Sequence, residues 1–309
     1  MISKTLLPLL LACASSAAAA QPESPPGAVQ AEMRNVAYHY TEPIAVHISY
    51  LKGELLPTQP GGVPVFDDAN SFTLSIQSAW ISITTDALAN VLNQYALAAA
   101  DSPIKAVRIT ADEGKLKIKG RLHSKGDLPF ESEGSLSVTP EGAIRVHTEK
   151  LKAEHLPVKG LMDLLGENIS KLIDTRKIRG LRADKDDLLL DPSELFPPPH
   201  IHGRLRAISI VGNEVVQEYG IQTPPSEKVS GNYMAYHGAQ LRFGKLTMND
   251  TDLVLIDMDP QDPFDFYLAH YRDQLVAGYT KTTPSFGLRC YFRDYSKLTP
   301  KQKTHSVAR

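Results

Sequence analysis

The sequence predicts an α+β protein in which a curved antiparallel sheet wraps around amphipathic helices, with an additional mostly β region towards the C-terminus. Three observations carry that expectation. Phe72, Leu74 and Ile76 alternate with polar residues, and Ile81 and Ile83 continue the apolar supply after Trp80, the mark of a half-buried strand. Leu88, Val91, Leu92, Tyr95 and Ala99 then recur at helical spacing. Strand candidates separated by glycine-bearing turns follow, and a second apolar stripe runs from about Val158 to Asp174. Strands and helices are grouped and not strictly alternating, which points away from the βαβ order of a nucleotide-binding domain.

The first element in chain order is a targeting segment. Lys4, the apolar run from Leu6 to Cys13 and the small residues Ala17 to Ala20 have the grammar of a secretory signal peptide. The uncharged stretch from Thr5 to Ala20 falls short of the roughly 20 residues that a spanning helix needs. The expectation is export to the periplasm or otherwise into a bacterial envelope. Leu10-Leu11-Ala12-Cys13 also resembles a lipobox, so a lipoprotein anchored at Cys13 stands beside cleavage after Ala20. Residues 21–70 are poorly patterned, with Pro57, Pro60, Gly61, Gly62 and Pro64 breaking any long element and one short strand credible at Ile44 to Tyr50.

The organised pattern occupies residues 71–196. After the Phe72 strand, Thr84 or Thr85 can cap a helix that has Asp86 in its first turn, where the helix dipole favours a carboxylate. The helix ends by Asp101-Ser102-Pro103. Strands are expected at Ala106 to Ala111, Lys115 to Leu122, Phe130 to Val138 and Ala143 to Leu151. Their turns are Asp112-Glu-Gly114, Ser124-Lys-Gly126 and Pro140-Glu-Gly142, whose glycines can take positive φ. In the second strand Lys115, Lys117, Lys119 and Arg121 face one way and Leu116, Ile118 and Leu122 the other, so one face meets water and one a core. The helix from Val158 carries Leu161, Leu164, Leu165, Ile169, Leu172 and Ile173 on one stripe, and Leu181 to Leu190 reads as a hairpin turning at Asp184 to Asp187.

Pro197-Pro-Pro199 marks a break into a mostly β region, 197–292. Strands are expected at Ile201 to Val211, Glu214 to Tyr219, Tyr233 to Tyr236, Gln240 to Phe243, Lys245 to Met248 and Asp252 to Asp257. A helix capped by Asp262 follows, through Phe266, Leu268, Tyr271 and Leu275. Residues 293–309 form a basic tail that reads as frayed and solvated, with a secondary reading as a contact for anionic lipid headgroups at a membrane surface.

Composition narrows the function classes. The 309 residues are 42% hydrophobic and 22% charged, an ordinary globular balance, and the net charge of −2 gives no basic face for nucleic acid. With only Cys13 and Cys290, neither a disulfide framework nor a thiolate-rich metal site is expected, and Cys290 reads as a small strand hydrophobe. Asp257, Asp259, Asp262 and Asp265 could supply oxygen ligands to a hard cation, but Pro260 and Pro263 break their spacing. His200 and His202 have the spacing of a metal pair with no third ligand in view. No GxSxG, HExxH or phosphate-cradling glycine loop occurs. No cofactor is expected.

Several segments carry a resemblance. The helix Thr84-Thr-Asp-Ala-Leu-Ala-Asn-Val-Leu92, the run Val107-Arg-Ile-Thr, the strand Gly114-Lys-Leu-Lys-Ile-Lys-Gly120, the step Leu128-Pro-Phe-Glu-Ser-Glu-Gly-Ser-Leu-Ser-Val138, the turn Pro140-Glu-Gly-Ala-Ile-Arg-Val146 and the helix after Leu156-Pro157 resemble the bacterial, exported branch of the tubular lipid-binding (TULIP) superfamily, including its LmeA-like phospholipid-binding proteins. The likeness spans about 72–210 and consists of alternation and turns, with no catalytic signature. It implies a long helix wrapped by a strongly curved sheet around an apolar tunnel, and a phospholipid or other acyl-chain ligand. The implied lining is Leu88, Val91, Leu92 and Tyr95 on the first helix, Leu116, Ile118, Leu136, Val138, Ile144 and Val146 on the strands, and Leu161, Leu164, Leu165 and Leu172 on the second helix. The expected function is that of an exported, non-enzymatic lipid-binding protein. An envelope structural or interaction protein with a solid core is the alternative, and a metal-dependent enzyme using Asp257 to Asp265 is the third reading.

Overall fold

A computed structural model describes residues 27–123, 127–153, 178–221 and 230–303. Of these, 56% lie in strands and 12% in helices, and the helices are short, so the α+β expectation is corrected to a mostly β fold. The signal segment 1–20, with Cys13, and the helix from Val158 with Leu161, Leu164, Leu165 and Leu172 lie outside the described residues. Among the described residues no helix is long and apolar enough to cross a membrane.

Part of the correction comes from residues 27–57. They form two long strands, β1 (Val29–Thr41) and β2 (Ile44–Pro57), which pair antiparallel with each other. Their alternation is hidden because Asn35, at φ 50°, is left out of the β1–β2 ladder between Arg34 and Val36. Arg34 pairs with Tyr50 and Val36 with Ile48, so the register is kept across Asn35, and its left-handed backbone turns the rest of the strand over without an insertion. Thus Ala31 and Met33 before it, and Val36 and Tyr38 after it, are all buried although the step from 33 to 36 is odd. Asn35 is also where β1 changes neighbour. Its first half pairs antiparallel with β13 (Tyr233–Gly238) and its second half parallel with β17 (Phe264–Tyr267).

β3 (Phe72–Thr84) pairs with β2 and is bordered on its other side by β10 (His200–His202) and β12 (Glu214–Gly220). With β11 (Leu205–Val211), β16 (Thr251–Asp257), β18 (Tyr279–Thr282) and β19 (Leu288–Phe292) they make an 11-stranded sheet whose main path is β11-β12-β3-β2-β1-β13-β16-β19-β18, with β10 and β17 beside it, while β14 (Leu241–Phe243) and β15 (Leu246–Met248) pair as a separate ribbon. The N-terminal segment and the C-terminal region therefore share one sheet. Phe66, Phe264, Phe266 and Phe292 fill its inner face, with neighbouring rings packed edge-on at 5.6 to 6.0 Å. Cys290 is fully buried in β19, and burial pushes its thiol up to about 12, the inert strand hydrophobe expected.

Between β3 and β10 the chain builds a second, antiparallel sheet of 6 strands. Its members are β4 (Ile104–Asp112), β5 (Lys115–Leu122), β6 (Leu128–Val138), β7 (Ile144–Ala153), β8 (Leu181–Asp184) and β9 (Asp187–Leu190), in the order β4-β5-β6-β7-β9-β8. The lysine face of β5 is exposed to acidic neighbours, as in Lys119 to Glu131 at 3.2 Å.

The helix expected after Thr84 is present but short. In α1 (Thr85–Val91) the Thr84 hydroxyl accepts from the Ala87 amide at 3.2 Å, and the chain then widens into one π-helical turn, Leu92–Ala96, closed by Leu97 N to Leu92 O at 2.8 Å. The helix expected from Asp262 onwards is replaced at its start by β17. Only Tyr271–Val276 is α-helical, because Phe264 and Phe266 alternate into the core beside β1.

Candidate functional site

An apolar cavity lies between the π-turn and one face of the 6-stranded sheet. Its empty volume, open side included, is about 840 Å³. Leu92, Ala96 and Leu97 roof it from the helix, Ile104 and Val107 come from β4, Ile118 and Leu122 from β5, and Phe130 and Ser132 from β6. Val146 and Thr148 on β7, Leu188 and Leu190 on β9, Leu181 on β8, and Ile178 and Leu195 complete the wall. Ser132 and Thr148 alone among these carry polar side chains.

Local geometry explains how these residues converge. Ile104 and Val107 are an odd number of positions apart and would face opposite ways on a regular strand. Ala106, at φ 53°, sits where the β4–β5 register shifts between Lys105 and Arg108, and this bulge turns both side chains inward. The bulge leaves the Val107 backbone free of β5, and Asn93 of the π-turn satisfies it. Asn93 Nδ2 donates to Val107 O at 2.7 Å and Val107 N donates to Asn93 Oδ1 at 2.9 Å, so one amide side chain imitates a strand partner and clamps the helix over the sheet edge. Gly120 opens space on β5. A Cβ there would stand 2.9 Å from Phe130 Cε1, so the glycine lets the Phe130 ring lie across the strand.

Of the lining residues expected from the sequence, Leu92, Ile118 and Val146 meet in this cavity. Val91, Leu116 and Ile144 are buried in the surrounding core, and Leu88, Leu136 and Val138 are half-buried against it. Tyr95 is 39% exposed and points away. Sequence reasoning missed Ile104 and Val107 because the bulge disguises their common face. Ile178, Leu181, Leu188, Leu190 and Leu195 were missed because the hairpin β8–β9 gives no sign that it closes the end of the sheet.

The acidic group of the third reading has a different geometry. Asp259, Asp262 and Asp294 bring carboxylate oxygens within 4.8 Å of one another, and the Lys297 ammonium lies against all three, at 2.6, 3.0 and 3.0 Å. Those bonds raise the Lys297 pKa, and Lys297 holds Asp259 below the usual carboxylate range. Asp257 stands apart. Buried beside Asn232, it is pushed up to about 6 by desolvation, although Asp259 N and Asn232 Nδ2 donate to it at 2.7 and 2.9 Å. Burial also raises Asp265, but His39 at 2.8 Å and Ser296 outweigh it and bring the pKa down. The group ties the C-terminal segment to the sheet. The basic tail is thus docked as far as residue 303, with Leu298 and Tyr295 buried and Lys303 Nζ 4.1 Å from the centre of the Tyr295 ring. His200 and His202 share no cluster of three ligand-type side chains among the described residues.

Comparison with protein-family models, with curated proteins and with solved structures finds no match to this chain.

Proposed function

We propose that this protein is an exported, non-enzymatic lipid-binding protein that shelters an acyl chain of a phospholipid in the cavity under the π-turn. The single observation that supports this reading is a wall of hydrocarbon around the empty space under the π-turn. Burial of a chain yields roughly 0.8 kcal/mol per methylene, so apolar lining alone can hold a lipid without an ionic anchor. Among the described residues the wall offers no nucleophile paired with a base, and the role we read from it is sequestration. Two cations of the basic tail are occupied within the molecule, Lys297 by carboxylates and Lys303 by the Tyr295 ring. The proposal therefore stands on the cavity and not on attraction of the tail to a membrane.

The test is native mass spectrometry of the full chain after incubation with phosphatidylglycerol vesicles. Wild type is expected to carry one phospholipid. Val146→Phe, which places a ring in the empty space, should retain its melting transition and lose at least tenfold in occupancy. A wild-type protein that stays empty, or equal occupancy in the variant, would overturn the proposal.

A further inference from the structure

A second cavity lies on the inner face of the large sheet, with an empty volume, open side included, of about 470 Å³. Aliphatic, methionine and phenylalanine side chains make most of its wall. The polar side chains among its lining residues are Tyr38, Tyr40 and Tyr236. Tyr38 is 8% and Tyr236 3% exposed, yet among the described residues none forms a hydrogen bond with any of the three hydroxyls. Nor are these oxygens among the unpaired polar atoms sealed by surrounding protein, so each keeps some accessible surface. Buried hydroxyls are ordinarily paired, and three unpaired ones around a single void call for a partner that fills it.

The backbone supplies an independent observation. Tyr38 and Tyr40 reach the same face as Met33 only because Asn35 takes the left-handed conformation and turns β1 over. A non-glycine residue held at positive φ is a local cost that persists where the surrounding structure requires it. Here it brings the phenols of Tyr38 and Tyr40 to the cavity that Tyr236 of β13 also lines.

We propose that this cavity is a second ligand site, for a small, uncharged, largely apolar molecule carrying a carbonyl or similar acceptor oxygen. The phenols are its recognition element. Burial raises the pKa of each, so all three stay neutral donors, and among the described residues no cationic side chain lines the cavity to balance a carboxylate or phosphate. The aromatic and methionine wall suits a ring, and the phenols select for the oxygen.

The experiment is an NMR titration of the full chain with acetophenone and with ethylbenzene, its counterpart lacking the carbonyl. Acetophenone should saturate the protein at least tenfold more tightly, with shifts around Tyr38 and Tyr236. The double variant Tyr38→Phe, Tyr236→Phe should bind the two probes equally and melt no lower than wild type, since the hydroxyls it loses have no protein partner. Val146→Phe, which blocks the first cavity, should leave acetophenone binding unchanged, so failure of the lipid proposal is separable from failure of this one. Absence of saturable binding, an unchanged preference in the double variant, or a crystal structure in which only ordered waters satisfy the three hydroxyls would overturn the proposal.

Discussion

Asp257 is the end of a polar chain that crosses the large sheet. His47 Nε2 meets Asn35 Oδ1 at 2.8 Å, Asn35 Nδ2 donates to Asn232 Oδ1 at 2.9 Å, and Asn232 Nδ2 donates to Asp257 at 2.9 Å. Burial lowers the His47 pKa and raises that of Asp257, so both ends of the chain favour their neutral forms. Because the folded-state pKa of Asp257 is about 6 and its ordinary value 3.8, the native protein binds the proton more tightly within that window. Its contribution to stability is therefore fully present below the ordinary value and declines as the pH rises through 6. With solvent screening allowed for, the decline amounts to about 1–2 kcal/mol. Asp257→Asn removes the titration whatever constant offset it adds. Denaturant unfolding of both proteins between pH 4 and 7 should show wild type losing ground to the variant as the pH rises. Parallel curves would show that Asp257 does not titrate in this range.

At the scale of elements, the Asn93 clamp decides whether the helix stays over the cavity. Asn93→Ala leaves the Val107 N–H and C=O without the partner they have now, and an unmet buried group of this kind costs about 1–3 kcal/mol. The variant should melt earlier by that amount and exchange the Val107 amide proton faster, while amides in the centre of the large sheet keep their protection. What could be read in the sequence divides along the same physical line. The Thr84 cap, the β4 to β7 meander and the hairpin β8–β9 rest on local signals, and the structure has them within a few residues. Three cavity residues, Leu92, Ile118 and Val146, were legible because they sit on regular stretches of helix and strand. β1 and β2 were not, nor were Ile104 and Val107. The left-handed backbone at Asn35 and the bulge at Ala106 each shift the period of two by one residue, and neither position is the glycine that would have announced positive φ. The pairing of β1 with β13 and β17, far away in sequence, leaves no local trace.

For the molecule as a whole, that remote pairing determines which pieces can stand alone. A boundary at residue 71 and another at 196 enclose the meander and its hairpin, which looks like a domain in the sequence. In the structure β3 lies inside those bounds while β2, β10 and β12, the strands bonded to its two sides, all lie outside them. Excision would expose both edges of a 13-residue strand whose buried residues include Leu74, Ile76, Ala79 and Ile83. Unpaired edges flanked by newly bared apolar surface favour association over folding. A fragment of residues 71–196 should therefore show no cooperative thermal transition and should sediment as aggregates, whereas the chain from residue 27 to 303 should unfold cooperatively. If the fragment instead melts cooperatively as a monomer, the 6-stranded sheet and its cavity are self-sufficient, and the large sheet is a separate module joined to it through β3. The architecture argues against that outcome, because α1, which leads into the roof of the cavity, begins directly where β3 ends and is anchored there by Thr85 N to Asn213 O at 2.8 Å, in the turn between β11 and β12.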